Sequence, residues 1–104
     1  VKTIWKYTLR PAMRQVIEIW ATQPPKPLTV QVQPGVGVVL WAEVEGGMSD
    51  SQMLLQADKA VDPNLAIHRL TVTLVGTGDP LLPSAGQYLA TIQDGPMVWH
   101  VYWR

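Results

Sequence analysis

Residues 28–44 read LTVQVQPGVGVVLWAEV, and this stretch decides the fold class. Leu28, Val30 and Val32 alternate with Thr29, Gln31 and Gln33. A period of two sends successive side chains to opposite faces of an extended chain, so residues 28–33 read as a strand with one apolar and one polar face. Pro34-Gly35 is a turn pair, and apolar residues resume at once after it. Val36, Val38, Leu40, Ala42 and Val44 then share one face, while Val39 and Trp41 make the other face apolar until Glu43. Two extended runs joined by a Pro-Gly turn predict a β-hairpin.

The same period runs outward in both directions. In residues 2–9, Trp5, Tyr7 and Leu9 oppose Lys2, Ile4, Lys6 and Thr8. In residues 15–20, Ile17 and Ile19 oppose Val16, Glu18 and Trp20, and Glu18 marks its face as wet. Pro24, Pro25 and Pro27 predict a stiff, unpaired connector before the hairpin. After it, Leu70, Val72 and Leu74 face the core of a strand over residues 67–75, with Arg69, Thr71 and Thr73 facing away. A loop over residues 76–86 leads to a strand over residues 87–93, with Tyr88, Ala90 and Ile92 on one face. Asp94-Gly95-Pro96 turns the chain into a last strand over residues 97–103. That strand carries large side chains on both faces: Trp99, Val101 and Trp103 on one, Val98, His100 and Tyr102 on the other. We expect Trp99 and Val101 to complete the core, and the outer face to be covered by a ligand or a second subunit. Between the two halves, Ser49 and Gln52 could cap a helix over residues 49–61, with a long hairpin loop as the alternative. The expected class is all-β: a single domain over residues 1–104, a small antiparallel β-sandwich or partly open barrel of about seven strands, with one short helix or long loop inserted near residues 48–62.

Composition narrows the function classes. A chain of 104 residues buries roughly 60% or more of its extended surface and forms one core. With no cysteine, disulfides and thiolate metal sites are impossible within it. Its formal charge is zero and its basic residues are scattered, which argues against extended nucleic acid as a partner and against a membrane surface. The first residues lack the apolar run of a secretion signal, so a cytoplasmic protein is expected. Charged residues make up only 15% of the chain, well under the usual quarter, which leaves apolar or neutral surface and predicts a homo-oligomer.

Five segments together resemble a family of small uncharacterised proteins from phages and prophages. They are Lys2-Thr3-Ile4-Trp5-Lys6-Tyr7, Val30-Gln31-Val32-Gln33, Leu40-Trp41-Ala42, Gly76-Thr77-Gly78-Asp79-Pro80 and Val98-Trp99-His100-Val101, in the same order and over nearly the whole chain. The prolines at 24–27 and the stretch 46–64 depart from that pattern. The resemblance implies an accessory protein acting in the cytoplasm of a bacterial host, and it carries no activity and no catalytic residues.

Candidate sites follow from residue chemistry. Gly76-Thr77-Gly78-Asp79 offers backbone N–H groups that could cradle an anion, but it lacks the third glycine, the following helix and the lysine of phosphate loops. A turn in which glycine supplies positive φ and Asp79 fixes the loop is the plainer reading. His68 and His100 are the two histidines, without a recognised metal-ligand spacing. No nucleophile elbow, paired-acid constellation or zinc-protease helix occurs, so neither catalytic residues nor a cofactor are assigned. Five tryptophans are many for such a chain. Some should fill the core, and others should line a groove or interface, because full burial of an indole is uncommon.

The expected function is therefore a non-catalytic, phage-type accessory protein that binds or sequesters a host component. The most concrete form is a small nucleotide-like signalling molecule held by an oligomer in an anti-defence role. Its contact residues would be Trp41, Arg69, Gly76, Thr77, Gly78, Asp79, Trp99, His100 and Tyr102. The alternatives are an inhibitor that binds a host enzyme, or a structural, virion-associated protein; an enzyme ranks last.

Overall fold

The computed structural model describes residues 2–10, 14–47 and 63–104. Its strands are β1 (Lys2–Leu9), β2 (Arg14–Ala21), β3 (Lys26–Gln33), β4 (Gly37–Glu45), β5 (Ala66–Gly76), β6 (Gln87–Asp94) and β7 (Met97–Trp103). They form a three-stranded sheet in the order β1-β4-β3 and a four-stranded sheet in the order β2-β5-β7-β6. Every pairing is antiparallel. The two sheets do not close on each other, so of the two architectures expected the sandwich is the one formed. The helix or loop expected near residues 48–62 lies outside the described residues.

The hairpin forms as read. Val30 pairs with Leu40 and Val32 with Val38. Gly35 has φ +76°, and the Val36 N–H donates to the Gln33 carbonyl at 3.1 Å. Proline followed by a residue of positive φ gives the type II turn that only glycine fills without strain. Strand β4 starts at Gly37, one residue later than expected, and Val36 sits half exposed in the turn.

Alternate residues of both sheets point inward and pack together. Leu40, Ala42 and Val44 of β4 and Val72, Leu74 and Val101 of the other sheet are fully buried. Burying one such aliphatic side chain contributes about 1.5–3 kcal/mol, so these rows dominate the attraction between sheets. Trp5, Tyr7, Ile17, Trp99 and Trp103 pack against them from the sides. The Trp5 indole N–H is buried without an acceptor among the described residues. His68, at the inward end of β5, hydrogen-bonds through Nε2 to the Ala21 carbonyl at 3.1 Å, an arrangement that holds the start of β5 to the end of β2.

Two bulges change the faces read from the sequence. Pro27 is not in an unpaired connector: it lies within β3, opposite Ala42, and is buried. Proline is tolerated there because β3 is an edge strand and its missing N–H removes no ladder bond on the open side. A register shift between Pro27 and Thr29 leaves Leu28 unpaired and 39% exposed, so Pro27 takes the core position expected of Leu28. A second shift between Tyr88 and Ala90 makes Leu89 the extra residue of β6. It turns Tyr88 away from the core face that Ala90 and Ile92 keep, and Tyr88 is 57% exposed. A bulge adds one residue to one strand, which inverts the alternation from that point.

Burial raises the pKa of the Tyr7 phenol above its ordinary value. The neutral phenol is the form the fold accommodates, so this contribution is intact below about pH 10, the pKa of an unfolded tyrosine, and is lost as pH rises through the higher folded value. Alkaline unfolding followed by circular dichroism should show stability falling above pH 10 and a shallower fall in Tyr7→Phe. Identical slopes for the two proteins would refute this.

Candidate functional site

The outer face of the four-stranded sheet gathers most of the chemistry. Its geometry starts at the turn between β6 and β7. Asp94 pairs with Met97 across Gly95-Pro96, with Gly95 at φ +58° followed by the negative φ of proline, the type II′ pattern that suits a tight hairpin. Counting outward from that two-residue turn sets Thr91 opposite His100. His100 also pairs with Val75 of β5, and past the bulge Tyr88 pairs with Tyr102.

These registers assemble a hydrogen-bonded chain. Thr77 Oγ1 lies 3.0 Å from His100 Nε2, and His100 Nδ1 lies 3.0 Å from Thr91 Oγ1. Thr91 Oγ1 in turn lies 2.6 Å from the Tyr88 hydroxyl. Hydroxyls both donate and accept, and a neutral imidazole does one on each nitrogen, so the four groups can all be satisfied in a single direction along the chain. Tyr88 stacks edge-on against Tyr102, with ring centroids 5.6 Å apart. The result is a polar line ending in two rings on a rigid sheet surface.

Gly76-Thr77-Gly78-Asp79 is what positions Thr77. The Asp79 N–H donates to the Gly76 carbonyl at 3.0 Å, and Gly78 has φ +90°, so the four residues make a β-turn at the end of β5. The Thr77 N–H donates to the Val98 carbonyl at 3.3 Å. With two of its N–H groups committed to backbone partners, the loop is poorly suited to wrapping an anion. A side chain at Gly76 would strike the Asp79 carboxylate, whose Oδ2 lies 2.7 Å from where its Cβ would sit. The turn therefore serves to hold a hydroxyl on His100.

Beside this line, residues 80–85 fold back over the outer face and cover Val75, which is buried although it points away from the main core. Between that loop and β2 a cleft of about 110 Å³ is lined by Arg14, Thr73, Val75, Pro80, Leu82, Ser84 and Ala85.

Of the residues expected at the site, the structure brings Thr77, His100 and Tyr102 together on this face, with Gly76, Gly78 and Asp79 shaping the turn beside them. Arg69 also points outward but lies six residues along β5 from Val75, about 20 Å away at ordinary strand rise. It pairs with Glu18 at 3.7 Å. Trp99 is on the inner face and packs against the core. Trp41 is on the other sheet, where its N–H donates to Gln31 Oε1 at 3.2 Å and its ring lies 5.9 Å from the Lys6 ammonium. The reading of the sequence did not single out Tyr88, Thr91, Arg14 or Ser84. Thr91 could have been found by counting from Gly95-Pro96; Tyr88 could not, because the bulge reverses its face.

Among the described residues no group of three or more His, Asp or Glu side chains could hold a metal ion, and no helix is long and apolar enough to cross a membrane. A family model described as "Domain of unknown function (DUF7352)" matches residues 1–104, so the chain belongs to that family. No curated protein and no solved structure matches it.

Proposed function

We propose that this member of the DUF7352 family is a non-catalytic binding protein whose ligand face is the outer surface of sheet β2-β5-β7-β6. The observation that carries the proposal is the chain from Thr77 through His100 and Thr91 to Tyr88, set beside the edge-on pair of exposed Tyr88 and half-buried Tyr102. Hydroxyl and imidazole groups fixed on strands recognise hydrogen-bonding ligands without a large ordering cost, and neighbouring rings favour a planar partner. A small nucleotide-like molecule has both features. Both ring nitrogens of His100 face threonine hydroxyls rather than a carboxylate and a nucleophile, which favours holding over turning over. The wider setting in this reading is a phage-type accessory protein in the cytoplasm of a bacterial host. There, as an oligomer, it would sequester a signalling nucleotide.

A second reading has one observation in its favour. Val16, Ile67, Leu81 and Leu82 are exposed around the same sheet face and its covering loop, and such apolar surface suits a protein partner.

Calorimetry against a panel of linear and cyclic nucleotides tests the first reading. One member should bind, and Tyr102→Ala should weaken it about tenfold, the range of a lost stacking contact. His100→Ala should weaken it comparably with the fold unchanged by circular dichroism. Absence of binding across the panel, with one host protein captured stoichiometrically and released by Tyr88→Ala, would replace the first reading with the second.

A further inference from the structure

The cleft beside Arg14 has a composition unlike the rest of the face. Its floor is Val75, 5% exposed, and Ala85, 5% exposed. Pro80 and Leu82 add apolar walls, and Thr73 and Ser84 supply hydroxyls. Arg14 stands at the rim, on the edge strand β2. Arg69, two positions beyond Thr71 on the same face, has a carboxylate partner in Glu18. Arg14 has none among the described residues. A guanidinium presents planar N–H groups that match an oxyanion two at a time, and hydroxyls beside it extend the same recognition.

Register sets this cleft in line with the rings. Arg14 pairs with Thr73, Thr73 with Tyr102, and Tyr102 with Tyr88, one row across all four strands. Adjacent strands are about 4.8 Å apart, so the row runs about 14 Å from Arg14 to Tyr88. The next row carries Val75, His100 and Thr91. A ligand lying across the strands would meet a cation and two hydroxyls at one end, and rings and an imidazole at the other.

We propose that the cleft formed by Arg14, Thr73, Ser84 and the apolar floor of Val75 and Ala85 is an oxyanion subsite, which takes the phosphate or carboxylate group of an organic ligand whose planar part lies toward Tyr102. The subsite deepens the reading of this face as a ligand face and rests on it for the ligand's second half. The apolar floor makes an organic anion a better occupant than a bare inorganic one, because the carbon next to the oxyanion is taken out of water there.

The test uses the full chain and two pairs of probes. Nuclear magnetic resonance of arginine Nε–Hε groups is followed as butyrate, and separately inorganic phosphate, is added. The Arg14 signal should shift and saturate together with the Thr73 and Ser84 amides, more tightly with butyrate than with phosphate. Arg14→Gln should abolish the saturable shift of those amides. Shifts that are equal and unsaturated at Arg10, Arg14 and Arg104 would overturn the subsite, as would saturation surviving in Arg14→Gln. In the second pair, a nucleoside 5′-monophosphate should bind roughly three- to tenfold more tightly than its nucleoside, as one partly exposed charged contact allows, and the difference should vanish in Arg14→Gln. A nucleoside that binds as well as its phosphate overturns the subsite while the binding face stands. Saturable anion shifts at Arg14 with no nucleoside or nucleotide binding support the subsite and remove the nucleotide reading of the face.

Discussion

Gly86→Ala should destabilise the protein by at least about 3 kcal/mol, more than any other glycine-to-alanine change in its turns. Gly86 follows the short 3-10 turn Pro83–Ala85 and has φ +92° and ψ −137°, a combination that is sterically closed to residues with a side chain. Its Cβ would press into the Trp103 carbonyl oxygen and lie 2.8 Å from the Arg104 Cβ. That carbonyl is backbone and cannot swing aside. Relief would require the end of β7 to move off the start of β6, where Gln87 pairs with Trp103. It would also disturb Arg104, which both donates to and accepts from Thr71 at 3.0 Å. Gly35→Ala is the control: φ is also positive, at +76°, but nothing lies within 4 Å of the new methyl group. That change should cost only about 1 kcal/mol. Urea unfolding of both variants decides the matter, and a difference of less than 1 kcal/mol between them would show that the approach of β7 to Gly86 is not tight.

Leu74→Ala should cost about 3–4 kcal/mol, within the range for truncating a buried leucine and leaving a cavity. Leu74 is fully buried, on the strand that joins β2 to β7, and pairs with the equally buried Val101. Val72 and Val101, both fully buried, belong to the same core cluster, so the gap has little room to collapse. Domains of this size are stable by about 5–15 kcal/mol, and such a loss shifts the melting temperature by many degrees. Leu82→Ala removes the same atoms from a residue that is 61% exposed and should change stability by about 0.5 kcal/mol or less. Comparable losses in the two variants would contradict the burial that separates them.

Alternation made the strands readable. Strand β1 begins and ends where the period of two placed it, and Leu70, Val72 and Leu74 all face the core. The two-faced last strand is explained as well: Val101 is fully buried between the sheets, with Trp99 and Trp103 packed against the core. His100 and Tyr102 line the opposite surface. What periodicity does not carry is the partner of each strand. It assigns Trp41 and His100 to outward faces correctly, yet says nothing of their belonging to different sheets. Nor does it register an extra residue. Leu28 and Tyr88 leave the faces that alternation predicts for one physical reason: each lies at or before a bulge, where two residues oppose one and the count of faces slips. The candidate site was legible at His100, Tyr102 and Thr77. Thr91 and Tyr88 join it through register, and Arg14 joins it through a loop folding across the sheet, which no local pattern encodes.

The allocation of strands to sheets also bears on the order in which the molecule can assemble. During synthesis the chain leaves the ribosome from its first residue onward. Strands β1, β3 and β4 are all present once Glu45 has emerged, so the three-stranded sheet can close on itself early. Strand β2 emerges between β1 and β3 but has no partner among them; its neighbour, β5, does not begin until Ala66. Through that interval Ile17, Ile19 and Trp20 have no sheet to join. The half-molecule that exists at that stage has an apolar sheet face in need of cover and one unpaired strand beside it. Among the described strands β2 thus waits longest for its partner, and it is also the strand that supplies Arg14 to the finished surface.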